Sequence, residues 1–210
     1  MQIVVLADVA LKEELLTNGV REHTTLEWIQ QITDFENYPT ADAWIDLLFE
    51  PVTPRIELLK KLSSGLVIIN SVIKTLKQVD NSFVRINGWP TFLKRSVIEA
   101  SITGNERKEV AGKIFFSFNR EVEWVPDEPG FITARIVSMI INEAYFALQE
   151  NVTTKPEIDI AMKLGTNYPY GPFEWGKKIG LKNILNLLSS LEIISTRYAP
   201  SAQLLKEIKK

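Results

Sequence analysis

The stretch of sequence that decides the fold lies at residues 127–148 and reads DEPGFITARIVSMIINEAYFAL. Its apolar residues recur every three or four positions, which is the spacing of one face of an α-helix. The Pro-Gly pair at positions 129 and 130 stands just before that pattern and interrupts the chain. We therefore predict a helix over residues 131–150 and a domain boundary near residues 126–129.

Helical patterns continue downstream of this boundary and are separated by turns rich in glycine and proline. The predicted helices cover residues 155–164, 173–179 and 181–191. The sequence therefore predicts an all-helical domain over residues 127–210.

Upstream of the boundary, short apolar runs alternate with helical stretches. Each run is continuous and rich in branched residues, which is typical of strands buried on both faces of a parallel sheet. The predicted strands are residues 2–7, 43–49, 65–70, 83–87, 97–102 and 122–125, the predicted helices are residues 11–16, 54–62 and 107–118, and residues 24–32 fit either state. We predict a parallel α/β sheet over residues 1–126.

Composition excludes several classes of function. The 210 residues include 24 Lys and Arg against 26 Asp and Glu, so the chain lacks the basic surface that nucleic acids or anionic membranes require. Cysteine is absent and His23 is the one histidine, which excludes disulfides, thiol nucleophiles and zinc sites built from cysteine or several histidines. The beginning of the chain does not fit a signal peptide, and the apolar runs are too short to span a bilayer. We expect a cytoplasmic protein.

Four motifs in the helical part form the most specific signal in the chain. They read DEPGFI at residues 127–132, EIDIAMKLG at 157–165, YPYGPFEW at 168–175 and RYAP at 197–200. Their order and spacing resemble the C-terminal domain of the 3-hydroxyacyl-CoA dehydrogenase family. The resemblance implies a Rossmann-like domain ahead of a helical domain that forms a homodimer, with NAD as cofactor and a histidine polarised by a glutamate as general base.

The upstream part resembles the family more weakly, and the cofactor motif is missing. Family members carry G-x-G-x-x-G after the first strand, where bare backbone meets pyrophosphate. Here residues 7–16 read ADVALKEELL, with Asp8, Glu13 and Glu14 where phosphates would lie and no glycine before Gly19. The segment up to residue 41 is also short, so one βα unit is missing. Glu50 matches the last acid of a family strand motif and is a relic candidate for cofactor contact. We expect no cofactor, since NAD is implied by the resemblance alone.

The residues expected to carry the chemistry are also changed. The position of the family's histidine falls on Ile86 or Asn87, and Glu99 matches its glutamate but is left with no imidazole to orient. A carbonyl-binding asparagine is replaced by Ala134. Glu99 is therefore a relic catalytic candidate, with an exposed strand end as the plain alternative.

Three side chains are candidates for binding substrate: Asn70, Ser71 and Asn87. Asn70 and Ser71 follow an apolar strand, at the edge of a sheet where α/β proteins bind ligands, although a plain turn fits them as well.

Two functions follow from this pattern. The first is a divergent, catalytically impaired member that binds an acyl-CoA-like ligand or serves in assembly as a homodimer through its helical domain. The apolar residues expected on that dimer face are Ile136, Ile140, Phe146, Leu185 and Leu188. The alternative is an active oxidoreductase that acts on a short-chain 3-hydroxyacyl-CoA and uses NAD in a non-standard mode. The sequence assigns no role to Lys177, which replaces a family acid, or to His23.

Overall fold

A computed structural model describes residues 1–62 and 64–209 of the chain. It divides the chain into two compact units, Met1–Phe131 and Ile132–Lys210. We call the first the α/β unit and the second the helical unit.

The α/β unit is built on one seven-stranded sheet, which confirms the predicted α/β class. The strands are β1 (Gln2–Leu6), β2 (Thr25–Ile29), β3 (Ala43–Asp46), β4 (Leu66–Asn70), β5 (Val84–Ile86), β6 (Val97–Ile102) and β7 (Glu121–Trp124). The helices are α1 (Val9–Leu16), α2 (Thr53–Lys60) and α3 (Lys108–Phe116). Within the ambiguous residues 24–32, residues 25–29 form strand β2, at an edge of the sheet.

The strand order is β2-β1-β3-β4-β5-β6-β7. The chain leaves β1 toward one edge of the sheet and then returns to place β3 on its other side. A doubly wound sheet has a ligand-binding crevice at such a reversal, outside the carboxyl ends of the strands. One strand, β2, lies beyond β1 at that edge of the sheet. The doubly wound sheet with strand order 3-2-1-4-5-6 has two strands beyond its first strand.

The prediction of a wholly parallel sheet is wrong for one pair. Strands β5 and β6 run antiparallel, while the remaining neighbours are parallel. The physical reason is the length of the connection, because residues 87–96 are fewer than the dozen or more that a parallel crossover requires.

Alternate residues of the central strands supply the two cores of the α/β unit. On β1, Ile3 and Val5 enter one core, while Val4 and Leu6 enter the other. Helices α1 and α3 pack on the first side through Leu11, Leu15, Ile114 and Phe115, and α2 packs on the second through Leu59. Burial on both faces explains why these strands read as continuous apolar runs.

The helical unit contains five helices among the described residues. They are α4 (Thr133–Gln149), α5 (Lys155–Thr166), α6 (Pro172–Ile179), α7 (Leu181–Glu192) and α8 (Ala202–Ile208). The first four confirm the predicted helices, whereas α8 was not predicted. Helix α4 packs against α6, α7 and α8. Across the described part of the chain, the model contains no helix with the length and apolar character to span a membrane.

Candidate functional site

The antiparallel turn from β5 to β6 brings Asn87 and Glu99 together. The Asn87 N–H donates to the Glu99 carbonyl at 3.1 Å, and Asn87 Nδ2 donates to Glu99 Oε2 at 2.8 Å. Both residues are buried, with 2% and 5% of their surfaces exposed. Ile86 enters the sheet core, so Asn87 is the residue that faces the glutamate. The expectations that Glu99 is exposed, or has nothing to orient, are therefore wrong.

Only one of the two polar atoms of the Asn87 side-chain amide has a hydrogen-bond partner among the described residues. Its Nδ2 bonds to the carboxylate, but its Oδ1 is buried without a hydrogen-bond partner among the described residues. A buried amide oxygen without a partner costs about 1–3 kcal/mol. Such an atom is a site where an incoming hydrogen-bond donor would be stabilised.

Asn70 at the end of β4 holds neighbouring strand ends together. Its Nδ2 donates to the carbonyls of Leu47 and Gly88, each at 3.0 Å, and its Oδ1 accepts the Gly88 N–H at 3.0 Å. A Cβ on Gly88 would lie 2.8 Å from Asn70 Cγ, so the close approach requires glycine. Ser71 is buried and donates to the Lys74 carbonyl at 2.9 Å. The Asn70 side chain is thus engaged by the main chain of two neighbouring segments, and the Ser71 side chain by the main chain of its own turn.

The corner between β1 and α1 carries a carboxylate where the resemblance implies the phosphates of a dinucleotide. Two residues join the strand to the helix, and Asp8 Oδ1 accepts the Leu11 N–H at 2.8 Å as the helix cap. Pyrophosphate binds such a corner through bare backbone and the N–H groups of the helix N-terminus. Here a carboxylate already takes one of those groups and adds negative charge. The residues present do not fit the pyrophosphate of a bound NAD.

The sequence predicts that Glu13 and Glu14 of helix α1 lie where phosphates would bind. Glu13 is exposed, but Glu14 is buried and both of its carboxylate oxygens accept the Thr91 N–H, at 2.9 and 2.8 Å. The expectation that Glu14 lies where phosphates bind is therefore wrong. Thr91 has a φ of 81°, a strained conformation for a β-branched residue, and the Glu14 carboxylate helps to hold it.

The end of β3 carries an ion pair that the sequence analysis missed. Arg55 donates to both carboxylate oxygens of Asp46, at 2.7 and 2.6 Å. Burial raises the pKa of Asp46, and the Arg55 hydrogen bonds and charge oppose that rise. Two of the three guanidinium nitrogens of Arg55, Nε and Nη2, are thus engaged by Asp46. Glu50 lies in the exposed stretch beyond the strand.

A second missed feature is a buried arginine in the middle of the sheet. Arg85 is fully buried and donates to the carbonyls of Lys74 and Glu128, at 3.1 and 2.8 Å. Its Nε lies 3.0 Å from Asp127 Oδ1, an ionic contact without hydrogen-bond alignment. Burial lowers the pKa of Arg85 to about 10, so the side chain stays charged at neutral pH. The first acid of the DEPGFI motif therefore has a structural role.

The motifs of the helical unit also bond to one another. Asp159 Oδ1 accepts the Phe173 N–H at 2.8 Å, and Glu174 Oε2 accepts the Gly171 N–H at 3.0 Å. Lys163 Nζ donates to Glu174 Oε1 at 2.6 Å. These contacts attach α5 to the beginning of α6, so the motif residues build the helical fold.

The remaining positions singled out in the sequence lie as follows. Ala134 is fully buried in α4, and His23 is exposed, as is Lys177. Among the described residues, no cluster of acidic or histidine side chains could hold a metal ion.

A cleft of about 360 Å³ lies within the helical unit. Helix α4 supplies most of its lining, and the residues are Arg135, Ile136, Met139, Ile140, Glu143, Arg197 and Tyr198. Ile136 is 52% exposed, and Phe146 and Leu185 are half-buried. Leu188 is fully buried within the unit itself, so its expected place on a dimer face is wrong.

Comparisons with known proteins agree with this architecture. Residues 130–209 match the family model "3-hydroxyacyl-CoA dehydrogenase, C-terminal domain". The chain is 52% identical over 68 residues to 3-hydroxyadipyl-CoA dehydrogenase of Escherichia coli, covering 32% of this chain but only 14% of that protein. It is 26% identical over 200 residues to 3-hydroxybutyryl-CoA dehydrogenase of Clostridioides difficile, covering 88% and 71% of the two chains.

A solved structure shows the same fold. The (S)-3-hydroxybutyryl-CoA dehydrogenase of Ralstonia eutropha superimposes with a TM-score of 0.77 at 15% identity, covering 99% of this chain and 93% of that one. The two proteins thus share a mostly parallel sheet followed by a helical domain. Residues 130–209 are thus similar to the C-terminal domain of the 3-hydroxyacyl-CoA dehydrogenase family, and the chain as a whole resembles 3-hydroxybutyryl-CoA dehydrogenases at low identity.

Proposed function

We propose that this chain is a divergent, catalytically impaired member of its family that binds an acyl-CoA-like ligand. The observation that carries the proposal is the buried pair of Asn87 and Glu99. The resemblance places a general-base histidine opposite that glutamate. Imidazole exchanges a proton near neutral pH, whereas a carboxamide does not titrate there. Loss of a general base typically costs about 100- to 10,000-fold in rate.

The corner between β1 and α1 supports the same proposal. The Asp8 carboxylate caps α1 where a dinucleotide would place its phosphates. Two like charges about 4 Å apart repel by about 1 kcal/mol in water and about 4 kcal/mol near a protein surface. Poor cofactor binding and a missing base act on different parts of the reaction, so their effects on rate multiply.

Assembly is the second part of the proposal. The helical unit would form a homodimer through the apolar face that includes Ile136, Ile140, Phe146 and Leu185. Ile136 is a large apolar side chain that is half exposed on α4, beside the cleft. Light scattering at micromolar concentration should give the mass of a dimer, and a monomeric mass would refute this part.

The alternative function is an active oxidoreductase on a short-chain 3-hydroxyacyl-CoA that uses NAD in a non-standard mode. It is favoured by the similarity to a 3-hydroxybutyryl-CoA dehydrogenase over 200 residues and by the position of Glu99, which is buried and bonded to a polar group.

Calorimetric titration with NAD⁺ and NADH separates the two functions. We expect no dissociation constant tighter than the millimolar range. The Asp8→Asn variant is the matched control, because it removes the charge but keeps a capping oxygen. A dissociation constant of tens of micromolar or below for the unaltered chain would favour the oxidoreductase. In parallel, an acyl-CoA ligand at millimolar concentration should raise the melting temperature, since binding to the native state stabilises it.

A further inference from the structure

The cleft of the helical unit combines an apolar wall with charged side chains. Helix α4 lines it with Ile136, Met139 and Ile140, and Ile136 is 52% exposed. The segment between α7 and α8 adds Arg197 and Tyr198. The volume of about 360 Å³ lies within the range of about 300–1,000 Å³ that small-molecule sites occupy. An apolar lining with a few charged groups is the usual composition of such a site.

Two guanidinium groups of the cleft lie near the ring of Tyr198. The guanidinium carbon of Arg197 is 5.0 Å from the centre of that ring, and the guanidinium carbon of Arg135 is 6.0 Å from it. Both distances allow cation–π attraction, which holds the two cations beside one ring. Arg197 is exposed and forms no ion pair with a residue that the structure describes. An arginine binds a carboxylate through two parallel N–H groups, so this end of the cleft fits a carboxylate.

The other end of the cleft carries a negative charge. Glu143 follows Arg135 by eight residues on α4, which corresponds to about 12 Å along the helix axis. The Glu143 side chain is exposed, and its carboxylate repels a second anion at that end. The cleft therefore fits a ligand with an anionic group at one end and an apolar body at the other.

We propose that this cleft binds an aliphatic monocarboxylate whose chain spans about two helical turns. The carboxylate pairs with Arg197 and Arg135, and the chain lies on Ile136, Met139 and Ile140. All of these residues belong to the helical unit, and none of them contributes to the site of Asn87 and Glu99. The inference therefore goes beyond the function proposed above.

The proposed site overlaps the face proposed for the homodimer. A bound chain covers Ile136 and Ile140, which belong to that face, so the ligand competes with a second copy of the protein. By mass action, the ligand then favours the monomer. This competition rests on the assembly proposed above, whereas the ligand site itself does not.

The test is a calorimetric titration of the full chain with three ligands of the same chain length. Octanoate carries one carboxylate, octanamide replaces it by a neutral group of the same shape, and suberate carries a carboxylate at each end. We expect octanoate to bind with a dissociation constant of about 1 mM or below, which is ordinary for a ligand of this size. Octanamide should bind about three- to tenfold more weakly because it forms no ion pair. Suberate should also bind more weakly, since its second carboxylate meets Glu143.

Two variants test the two ends of the cleft separately. Arg197→Gln should weaken octanoate binding about three- to tenfold. Lys177→Gln is the matched control, because it removes an exposed cation of the helical unit that does not line the cleft. Glu143→Gln should tighten suberate binding about three- to tenfold and change octanoate binding by less than about twofold. The three replaced side chains are exposed, so the variants should fold like the unaltered chain.

Four results would overturn the ligand site. They are no binding of octanoate at millimolar concentration, equal affinities for octanoate and octanamide, equal affinities of Arg197→Gln and Lys177→Gln for octanoate, and a suberate affinity unchanged in Glu143→Gln.

Light scattering with and without octanoate tests the competition. Saturating octanoate should shift the mass from that of a dimer toward that of a monomer, and a dimer that persists would overturn the competition. A monomeric mass without ligand would refute the proposed assembly, and the calorimetric titration would still decide the ligand site.

Discussion

The residues matched to family motifs build structure in the helical unit, whereas in the α/β unit they include the positions matched to a catalytic pair. In the helical unit, Asp159, Glu174 and Lys163 cap or bridge helices, and the family match covers residues 130–209. At the carboxyl edge of the sheet, the positions matched to a catalytic pair hold Asn87 and Glu99. The region with the clear family signal is therefore the one whose motif side chains build structure. The similarity to the family therefore rests mainly on residues that build structure, and it gives little information about the reaction.

The α/β unit also contains a buried charge in the middle of its sheet, Arg85, and its replacement is the strongest test of the comparison. Replacing Arg85 by Met should destabilise the α/β unit by about 3–5 kcal/mol, since it leaves Asp127 and two carbonyls without their cation. Urea unfolding followed by tryptophan fluorescence reports mainly on this unit, which contains four of the five tryptophans, Trp28, Trp44, Trp89 and Trp124, while Trp175 lies in the helical unit.

Lys61→Met is the matched control for Arg85→Met. Lys61 is exposed, so its replacement should stay within about 0.5 kcal/mol of the unaltered chain. Equal unfolding midpoints for the two variants would contradict the structural role given to Arg85.

In the helical unit, the bond between α5 and α6 should have a smaller effect. Asp159→Ala removes the cap of the Phe173 N–H and should cost about 1–2 kcal/mol. Gly171→Ala should cost a similar amount, because its Cβ would overlap the Asp159 carboxylate. Thermal unfolding followed by circular dichroism at 222 nm checks both variants. A Cβ on Gly171 would also overlap Asp159 Cβ, which Asp159→Ala retains. The double variant should therefore lose part of the combined cost, and fully additive costs would contradict the shared contact.

The smallest expected effect is on the pH dependence of the helical unit. Hydrogen bonds from Thr153 and Thr154 lower the pKa of Glu157 to about 2, below its ordinary value of 4.5. A carboxyl whose pKa is lower in the folded state stabilises that state above pH 4.5, and this contribution is lost as the pH falls toward 2. The melting temperature of Glu157→Gln should therefore fall less steeply over that interval than that of the unaltered chain. Parallel curves would show that the bonds to Glu157 do not form.

Local patterns predicted the elements well, because periodicity depends on which face of each strand or helix is buried. Helix α8 was missed because its residues, AQLLKEI, bury little besides Leu204 and carry charge. The antiparallel turn between β5 and β6 was missed because strand direction depends on the length of the connection. That one feature also decided the site, since the pairing of Asn87 with Glu99 follows from the antiparallel register. The role of Arg85 had no local signal, because an arginine in an apolar run finds its partners in segments far along the chain.

The reduction of acetoacetyl-CoA by NADH tests the central claim most directly. The assay follows NADH absorbance at neutral pH, with millimolar concentrations of both reactants and the full chain at micromolar concentration. With Asn87 in place of a base and Asp8 capping α1, we expect no rate above that of a blank without protein. A rate well above the blank that disappears in Glu99→Gln would show that Glu99 acts as the base, and it would contradict the account.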